Sequence, residues 1–330
     1  MKYEVSEFSL QGGRPSNQDR VAYAERDNAV LLIVADGLGG HAGGEIAAEI
    51  ATRWARHAFL SIKQSVITQP SAFLALTLLQ VHQQILAETK ANYPDIQPRT
   101  TCVLCLVQNG YAYWAHVGDS RLYHLRGNNV MMRTLDHSPV EKLHQQGLIS
   151  EEDMQHHPKK SYLSNCLGGR HKPSISLGEE TRLERGDTLL LCTDGVWEAM
   201  TPEEMIEQLN KGTLEESLEE LLYYAAEDKK KGKGDNATAI GLLWQDEMTS
   251  TKPLQNEKAT TVSQEFLWEK ARLQSGPRPV PGKQSKARVK QVPASKTVKT
   301  KTSSKPTSPV ETTIDELENY LSQFGQKPSS

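Results

Sequence analysis

Short apolar runs recur through the first three quarters of the chain, separated by longer stretches whose apolar residues fall at helical intervals. The runs near Tyr3–Leu10, Val30–Asp36, Thr100–Val107, Tyr111–Val117, Arg121–Leu125, Thr188–Thr193 and Ala237–Trp244 read as strands. Between them, Glu45–Leu60 carries Ile46, Ile50, Trp54 and Ala58 on one helical face. Ser71–Lys90 makes a second long helix, stopped by Asn92-Tyr93-Pro94. Thr201-Pro202-Glu203-Glu204 and Thr213-Leu214-Glu215-Glu216 are capping boxes, in which Thr and the third-position Glu satisfy otherwise orphaned N–H groups. The first has proline at the first helical position, and the second opens a helix ending near Asp228.

This alternation stops near residue 245, so residues 1–245 are read as one folded domain. Residues 246–310 are rich in Lys, Pro, Ser and Thr and contain no acidic residue between Lys270 and Val310. A stretch of that kind buries too little apolar surface to offset its ordering entropy, which predicts a disordered basic linker. Thr313-Ile314-Asp315-Glu316 is a further capping-box pattern, and it places Ile314, Leu317, Leu321 and Phe324 on one face. Residues 311–325 are therefore expected to form a short amphipathic helix, either a docking peptide for a partner or a frayed tail. Residues 326–330 are expected to be a disordered end.

Composition supports the division. The 330 residues have room for one large domain or two small ones, but 37% apolar and 6% aromatic content is low for a uniformly packed chain. The net charge is −3, unevenly spread. Residues 246–330 hold 14 basic and 9 acidic residues, or +5, which leaves residues 1–245 with 24 basic and 32 acidic, or −8. An acidic domain suits cations and argues against nucleic-acid binding there, while the basic linker either meets a polyanion or is simply solvated. The 4 cysteines lack disulfide-scaffold spacing. Cys102 and Cys105 form a C-x-x-C, but a strand puts them on opposite faces, so buried thiols are the expectation over a zinc site. No apolar run is long enough for a membrane span, and Met1–Glu7 lacks the apolar core of a signal peptide; a cytoplasmic protein is expected.

The candidate chemistry is acidic. Asp36-Gly37-Leu38-Gly39-Gly40-His41 ends an apolar run, where a carboxylate must find a charge partner or stay wet. Cys192-Thr193-Asp194-Gly195 and Lys233-Gly234-Asp235-Asn236 have the same form, and Val117-Gly118-Asp119-Ser120-Arg121 makes a turn between two strands. Carboxylates gathered at strand ends suit hard divalent cations. Upstream, Gly13-Arg14-Pro15-Ser16-Asn17-Gln18-Asp19 offers a guanidinium fork that matches phosphate.

Taken in this order, Arg14-x-x-Asn17-Gln18-Asp19, Val34-Ala35-Asp36-Gly37-Leu38-Gly39-Gly40-His41, Gly118-Asp119-Ser120-Arg121, Thr193-Asp194-Gly195-Val196 and Gly234-Asp235-Asn236-Ala237-Thr238 resemble the bacterial branch of the metal-dependent, PP2C-like (PPM) protein phosphatases. The resemblance spans about residues 5–245. Thr134-Leu135-Asp136-His137-Ser138-Pro139, Gly147-Leu148-Ile149 and Leu167-Gly168-Gly169 add to it, and they look like that family's flap beside the catalytic cleft. Ser150 reads independently as a helix N-cap. The implied fold is α+β, a four-layer α-β-β-α sandwich of two antiparallel sheets flanked by helices.

The resemblance implies serine/threonine phosphoprotein hydrolysis with two Mn²⁺ or Mg²⁺ ions and a third, weaker site, opposing a bacterial Ser/Thr kinase. It makes Asp36 the bridging ligand, Asp194 and Asp235 ligands of one ion, and the Gly37 carbonyl a ligand of the other. Asp119 matches the weaker site, Asp19 and Gln18 hold metal waters, and Arg14 clamps the phosphate. A hydroxide between the ions attacks phosphorus in line. His41 is a candidate general acid, with a metal-bound water as the alternative donor and loop structuring as its alternative role. Gln18 departs from the family, many members of which carry Glu there.

Overall fold

The computed structural model describes residues 1–38, 43–150, 153–154, 157–227 and 234–247. Among these, the strands pair antiparallel in two sheets. One has the order β1 (Tyr3–Leu10), β11 (Ala237–Trp244), β10 (Asp187–Cys192), β6 (Arg121–Arg126), β7 (Asn129–Arg133). The other has the order β2 (Arg20–Arg26), β3 (Ala29–Ala35), β4 (Cys102–Gln108), β5 (Tyr111–Val117), β8 (Ser176–Leu177), with β9 (Thr181–Arg182) also on β5.

The two-residue period of the strands decides which side chains meet. Val30, Leu32 and Val34 of β3 and Val103, Cys105 and Val107 of β4 pack between the sheets against Leu189 and Leu191 of β10 and Ile240 and Leu242 of β11. The intervening residues turn outward. Two long helices, α1 (Gly44–Leu60) and α2 (Pro70–Asn92), cover the β2–β5 sheet. A short helix, α3 (Pro139–Gln145), starts at Ser138, whose Oγ accepts from the Glu141 N–H. On the other sheet, α4 (Asp194–Trp197), α5 (Pro202–Leu209) and α6 (Leu214–Ala226) pack Val196, Met205, Ile206, Leu218 and Leu222 onto Tyr123, Leu190 and Ala239. The result is the expected four-layer α-β-β-α sandwich. Both capping boxes form as read, at Thr201 with Glu204 and at Thr213 with Glu216.

The thiols of Cys102 and Cys105 sit on opposite faces of β4, both free, buried and pushed up by burial, so the C-x-x-C makes no chelate. Strands β2, β7, β8 and β9 carry too little apolar periodicity to stand out in the sequence; β7, Asn129–Arg133, is partly exposed along its whole length. Two of the apolar runs end one residue earlier than the pattern suggests, while β4 and β6 run one residue further, to Gln108 and Arg126. Thus Asp36 follows β3, and Thr193 and Asp194 follow β10.

Far along β10, Asp187 is fully buried and holds β6 to its own strand. It accepts from Arg126 Nε at 2.7 Å, His124 Nε2 at 2.9 Å and the Glu184 N–H at 2.8 Å. Burial pushes this carboxyl up, and the donors more than offset it, leaving it below the usual carboxylate range. A depressed folded-state value adds stability above the unfolded-state pKa, and that stability is lost as pH falls through the folded one. Asp187→Asn is expected to cost about 3 kcal/mol at pH 7, the scale of a broken buried ion pair. In thermal melts the gap from wild type should close as pH falls below 5.

Among the described residues no helix is long and apolar enough to cross a membrane. Apart from 246 and 247, the expected linker 246–310, helix 311–325 and end 326–330 lie outside the described residues.

Candidate active site

Antiparallel pairing collects the acidic turns at one end of the sandwich. Arg20 pairs with Ala35, so Asp19, just before β2, lies beside Asp36, just after β3. Cys102 pairs with Val117 and Val103 with Val34, which brings the turn after β5 to the same end. That turn, Gly118-Asp119-Ser120, crosses from β5 in one sheet to β6 in the other. Cys192 pairs with Ala239 and with Arg121, so Asp194 and Asp235 arrive there too.

Backbone hydrogen bonds hold Asp36 in place. Its N–H donates to Thr101 Oγ1 at 3.1 Å, and its carbonyl accepts from Thr100 Oγ1 at 2.7 Å and the Thr101 N–H at 2.9 Å. Thr101 Oγ1 also shares a hydrogen with Ser120 Oγ at 2.6 Å, tying the Asp36 and Asp119 turns together. Gly37 permits a close approach: a Cβ there would lie 2.5 Å from the carbonyl oxygens of Gln18 and Gly44. The first turn of α1 is thereby pressed against the Asp36 loop.

The five carboxylates repel one another. Desolvation first, then the charges of Asp194, Asp19, Asp119 and Asp235, hold Asp36 well above the usual carboxylate range, although it keeps some exposed surface. Asp194 is likewise held well above by burial and then by Asp119, Asp235 and Glu198. Asp19, 3% exposed, is pushed to about 6 by burial, against hydrogen bonds from Thr238 and Thr193, the latter at 2.9 Å. Burial, then Asp136, pushes Asp119 to about 7, with Arg121 opposing. Arg14 faces the cluster on its Asp235 side. Its guanidinium donates to Asp235 Oδ2 at 2.5 Å, which with the nearby Asp194 and Asp36 charges raises its own pKa against the opposing pull of burial.

Such a donor set is all oxygen, and the charges that raise Asp36 are all carboxylates, which fits hard divalent cations such as Mn²⁺ and Mg²⁺. Among the described residues no three of these side chains close into a finished coordination shell. The fit therefore rests on like-charged carboxylates held at one place, whose repulsion a cation would relieve.

Every sequence-predicted carboxylate, Asp19, Asp36, Asp119, Asp194 and Asp235, belongs to this cluster, together with Arg14 and Gly37. His41 lies outside the described residues. Gln18 Nε2 donates to Glu45 Oε2 at 2.9 Å, in the first turn of α1. A glutamate at 18 would set two carboxylates in contact, so the amide there suits Glu45. Other supporting residues went unread in the sequence. Asn236 Oδ1 accepts from the Gln18 N–H, and its Nδ2 donates to the carbonyls of Gln11 and Ser16, which fixes the Arg14 loop. Trp197 Nε1 donates to the Asp119 carbonyl at 3.0 Å while Arg121 stacks 3.7 Å over its ring. The signal for Asn236 was its place beside Asp235; nothing local marked Trp197 or Glu45.

Comparison with known proteins places this geometry. The family model for protein phosphatase 2C matches residues 10–231. The serine/threonine phosphatase Stp of Listeria monocytogenes is 32% identical over 245 residues, 71% of this chain and 94% of that protein. Among solved structures, the serine/threonine phosphatase Stp1 of Staphylococcus aureus superposes with a TM-score of 0.68 at 28% identity, over 74% of this chain and 96% of that one. The catalytic domain of PstP, solved with 2 manganese ions, gives a TM-score of 0.60 at 26% identity, over 74% and 99% of the two chains. The chain belongs to the bacterial branch of the protein phosphatase 2C family, a family of metal-dependent protein serine/threonine phosphatases.

Proposed function

We propose that the chain hydrolyses phosphoserine and phosphothreonine in proteins, using two Mn²⁺ or Mg²⁺ ions held by its carboxylate cluster. The observation that carries this reading is the gathering of five aspartates at one end of the sandwich, with Asp36 and Asp194 raised by burial and by their neighbours' charges and Arg14 bonded to Asp235. In this reading Asp36 would serve both ions, Asp194 and Asp235 would hold one, the Gly37 carbonyl would help hold the other, and Asp119 would serve a third, weaker position. Bound ions would supply the positive charge that acidifies the attacking water and neutralises the phosphate.

The chain's own part is positioning and charge. Thr100 and Thr101 fix the Asp36 backbone, and Thr193 orients Asp19. Arg14, parked on Asp235, can turn its fork to two phosphate oxygens in exchange. The proton for the departing serine or threonine oxygen would come from a water in the site or from His41, whose other role would be to structure its loop. Arg14→Ala is expected to lower kcat/KM on a phosphothreonine peptide roughly 30-fold, most of it in KM, the scale of a lost charge-assisted bidentate contact. Arg14→Lys should recover only part of this, because a point charge replaces a fork. Steady-state kinetics on the peptide measures both.

A phosphoprotein substrate must be supplied by a protein kinase, so the proposed setting is one opposing a Ser/Thr kinase. The cytoplasm is the proposed location, supported by four free cysteines. The 311–325 segment is proposed as a docking peptide. Deleting 246–330 is expected to leave aryl-phosphate hydrolysis unchanged and to weaken action on protein substrates that use the tail. The direct test of function is phosphate release from a phosphothreonine peptide, wild type with Mn²⁺ against wild type with chelator. Release that ignores the chelator, or no release at all, contradicts the proposal.

A further inference from the structure

His137 lies outside the carboxylate cluster, yet it joins that cluster to the 138–165 stretch. Its backbone N–H donates to the Gly118 carbonyl at 2.9 Å, and its own carbonyl accepts from the N–H and the Oγ of Ser164, both at 2.8 Å. The imidazole Nδ1 accepts from the Gly118 N–H at 3.1 Å and meets Asn165 Nδ2 at 2.7 Å. An accepting Nδ1 leaves the ring proton on Nε2, which donates to Ser176 Oγ at 2.8 Å. The Asn165 amide is oriented in turn by Ser174, whose N–H donates to Asn165 Oδ1 at 3.1 Å. His116 stacks on the His137 ring at 4.7 Å and 21°.

The turn that His137 grips has little slack. Gly118 has φ of +108°, and a Cβ there would lie 2.5 Å from the Thr101 side chain. On its other side the Asp119 carbonyl is held by Trp197, three residues beyond Asp194. Arg121, stacked on Trp197, makes a bidentate pair with Asp136, the residue before His137, at 2.9 and 2.7 Å. The Asp119 turn is thus clamped between the Asp194 helix and a histidine that also anchors both ends of the 138–165 stretch.

We propose that His137 is a positioning residue that couples the Ser164–Asn165 return of that stretch to the Asp119 turn, so that cation affinity at Asp119 depends on contacts made outside the cluster. This rests on the metal-site reading above. The acceptor at Nδ1 is the key atom, and Asn offers an Oδ1 at the same number of bonds from the backbone. Asn165 touches Ser174 and His137 but shows no hydrogen bond to residues 118–120 among those described.

Calorimetric titration of the full-length protein with Mn²⁺ tests this without relying on turnover. In His137→Ala the weakest Mn²⁺ event is expected to weaken roughly tenfold, the scale of one lost buried hydrogen bond. His137→Asn should stay within about twofold of wild type, because the acceptor is kept. Asn165→Ala should weaken the same event about threefold although it lies one residue removed from the turn. Unchanged Mn²⁺ binding in Asn165→Ala, or His137→Asn as impaired as His137→Ala, overturns the coupling. Wild type that binds Mn²⁺ but releases no phosphate from a phosphopeptide defeats the proposed function instead and leaves the coupling to be judged on binding.

Discussion

Asp36→Asn is expected to reduce kcat on a phosphothreonine peptide by about 10³-fold or more, since losing a shared cation ligand removes roughly 4 kcal/mol of transition-state stabilisation. The fold should not pay for this loss. The Asp36 backbone is fixed by Thr100 and Thr101, and neither bond involves the carboxyl. The side chain itself is a repelling charge, held well above its ordinary pKa by burial and by four neighbouring aspartates. An isosteric amide removes that repulsion. Metal-free Asp36→Asn should therefore melt at or above the wild-type temperature at pH 8 while being almost inactive. A loss of less than tenfold, or a parallel fall in thermal midpoint, contradicts the assignment. Asp194→Asn should behave in the same way, because its carboxyl is raised by burial and by Asp119 and Asp235.

The second large effect is on stability against pH. Asp19 at about 6 and Asp119 at about 7 are raised, as are Asp36 and Asp194. Below the unfolded-state value near 4 both states hold these protons and nothing is lost. As pH rises, the unfolded chain releases them first, so the folded state binds more protons and stability falls. The fall continues until the folded-state values are passed. For Asp19 alone the loss is on the order of 3 kcal/mol. Metal-free protein should thus lose thermal stability steadily from pH 5 to pH 8. The Asp187 contribution runs the other way but is confined to lower pH. Millimolar Mn²⁺ should reverse the loss, with a stabilisation that grows with pH, because cations bind the ionised carboxylates. Melting curves across this range, with and without Mn²⁺, check both signs. A metal-free midpoint that is flat or rising between pH 6 and 8 counts against a repelling cluster.

These two results concern residues that were legible in the sequence. Asp36, Asp119, Asp194 and Asp235 announce themselves because each interrupts an apolar run or sits in a turn between two. Their convergence could not be read from spacing; it comes from antiparallel pairing, which returns the ends of β3, β5 and β10 and the starts of β2, β6 and β11 to one edge. The resemblance to the phosphatase family supplied that step. The long helices and both capping boxes were legible because helical period and cap chemistry are local. Strands β2 and β7 were not, since β2 carries charge at both ends and β7 is never fully buried. The supporting contacts were the least visible. The Gln18 amide meets Glu45, 27 residues away. His137 gave no sign of gripping Gly118, because that bond spans 19 residues.

In the proposed site the five aspartates would hold divalent cations, with Asp36 serving more than one of them. Titrating metal-free protein with Mn²⁺ at pH 7.5 in two buffers of different ionisation enthalpy tests it most directly, because it counts ions and released protons together. About two tightly bound ions per chain are expected, with proton release as the raised carboxyls ionise and loss of tight binding in Asp36→Asn. No tight binding, or an Asp36→Asn titration that overlays the wild type, would contradict it.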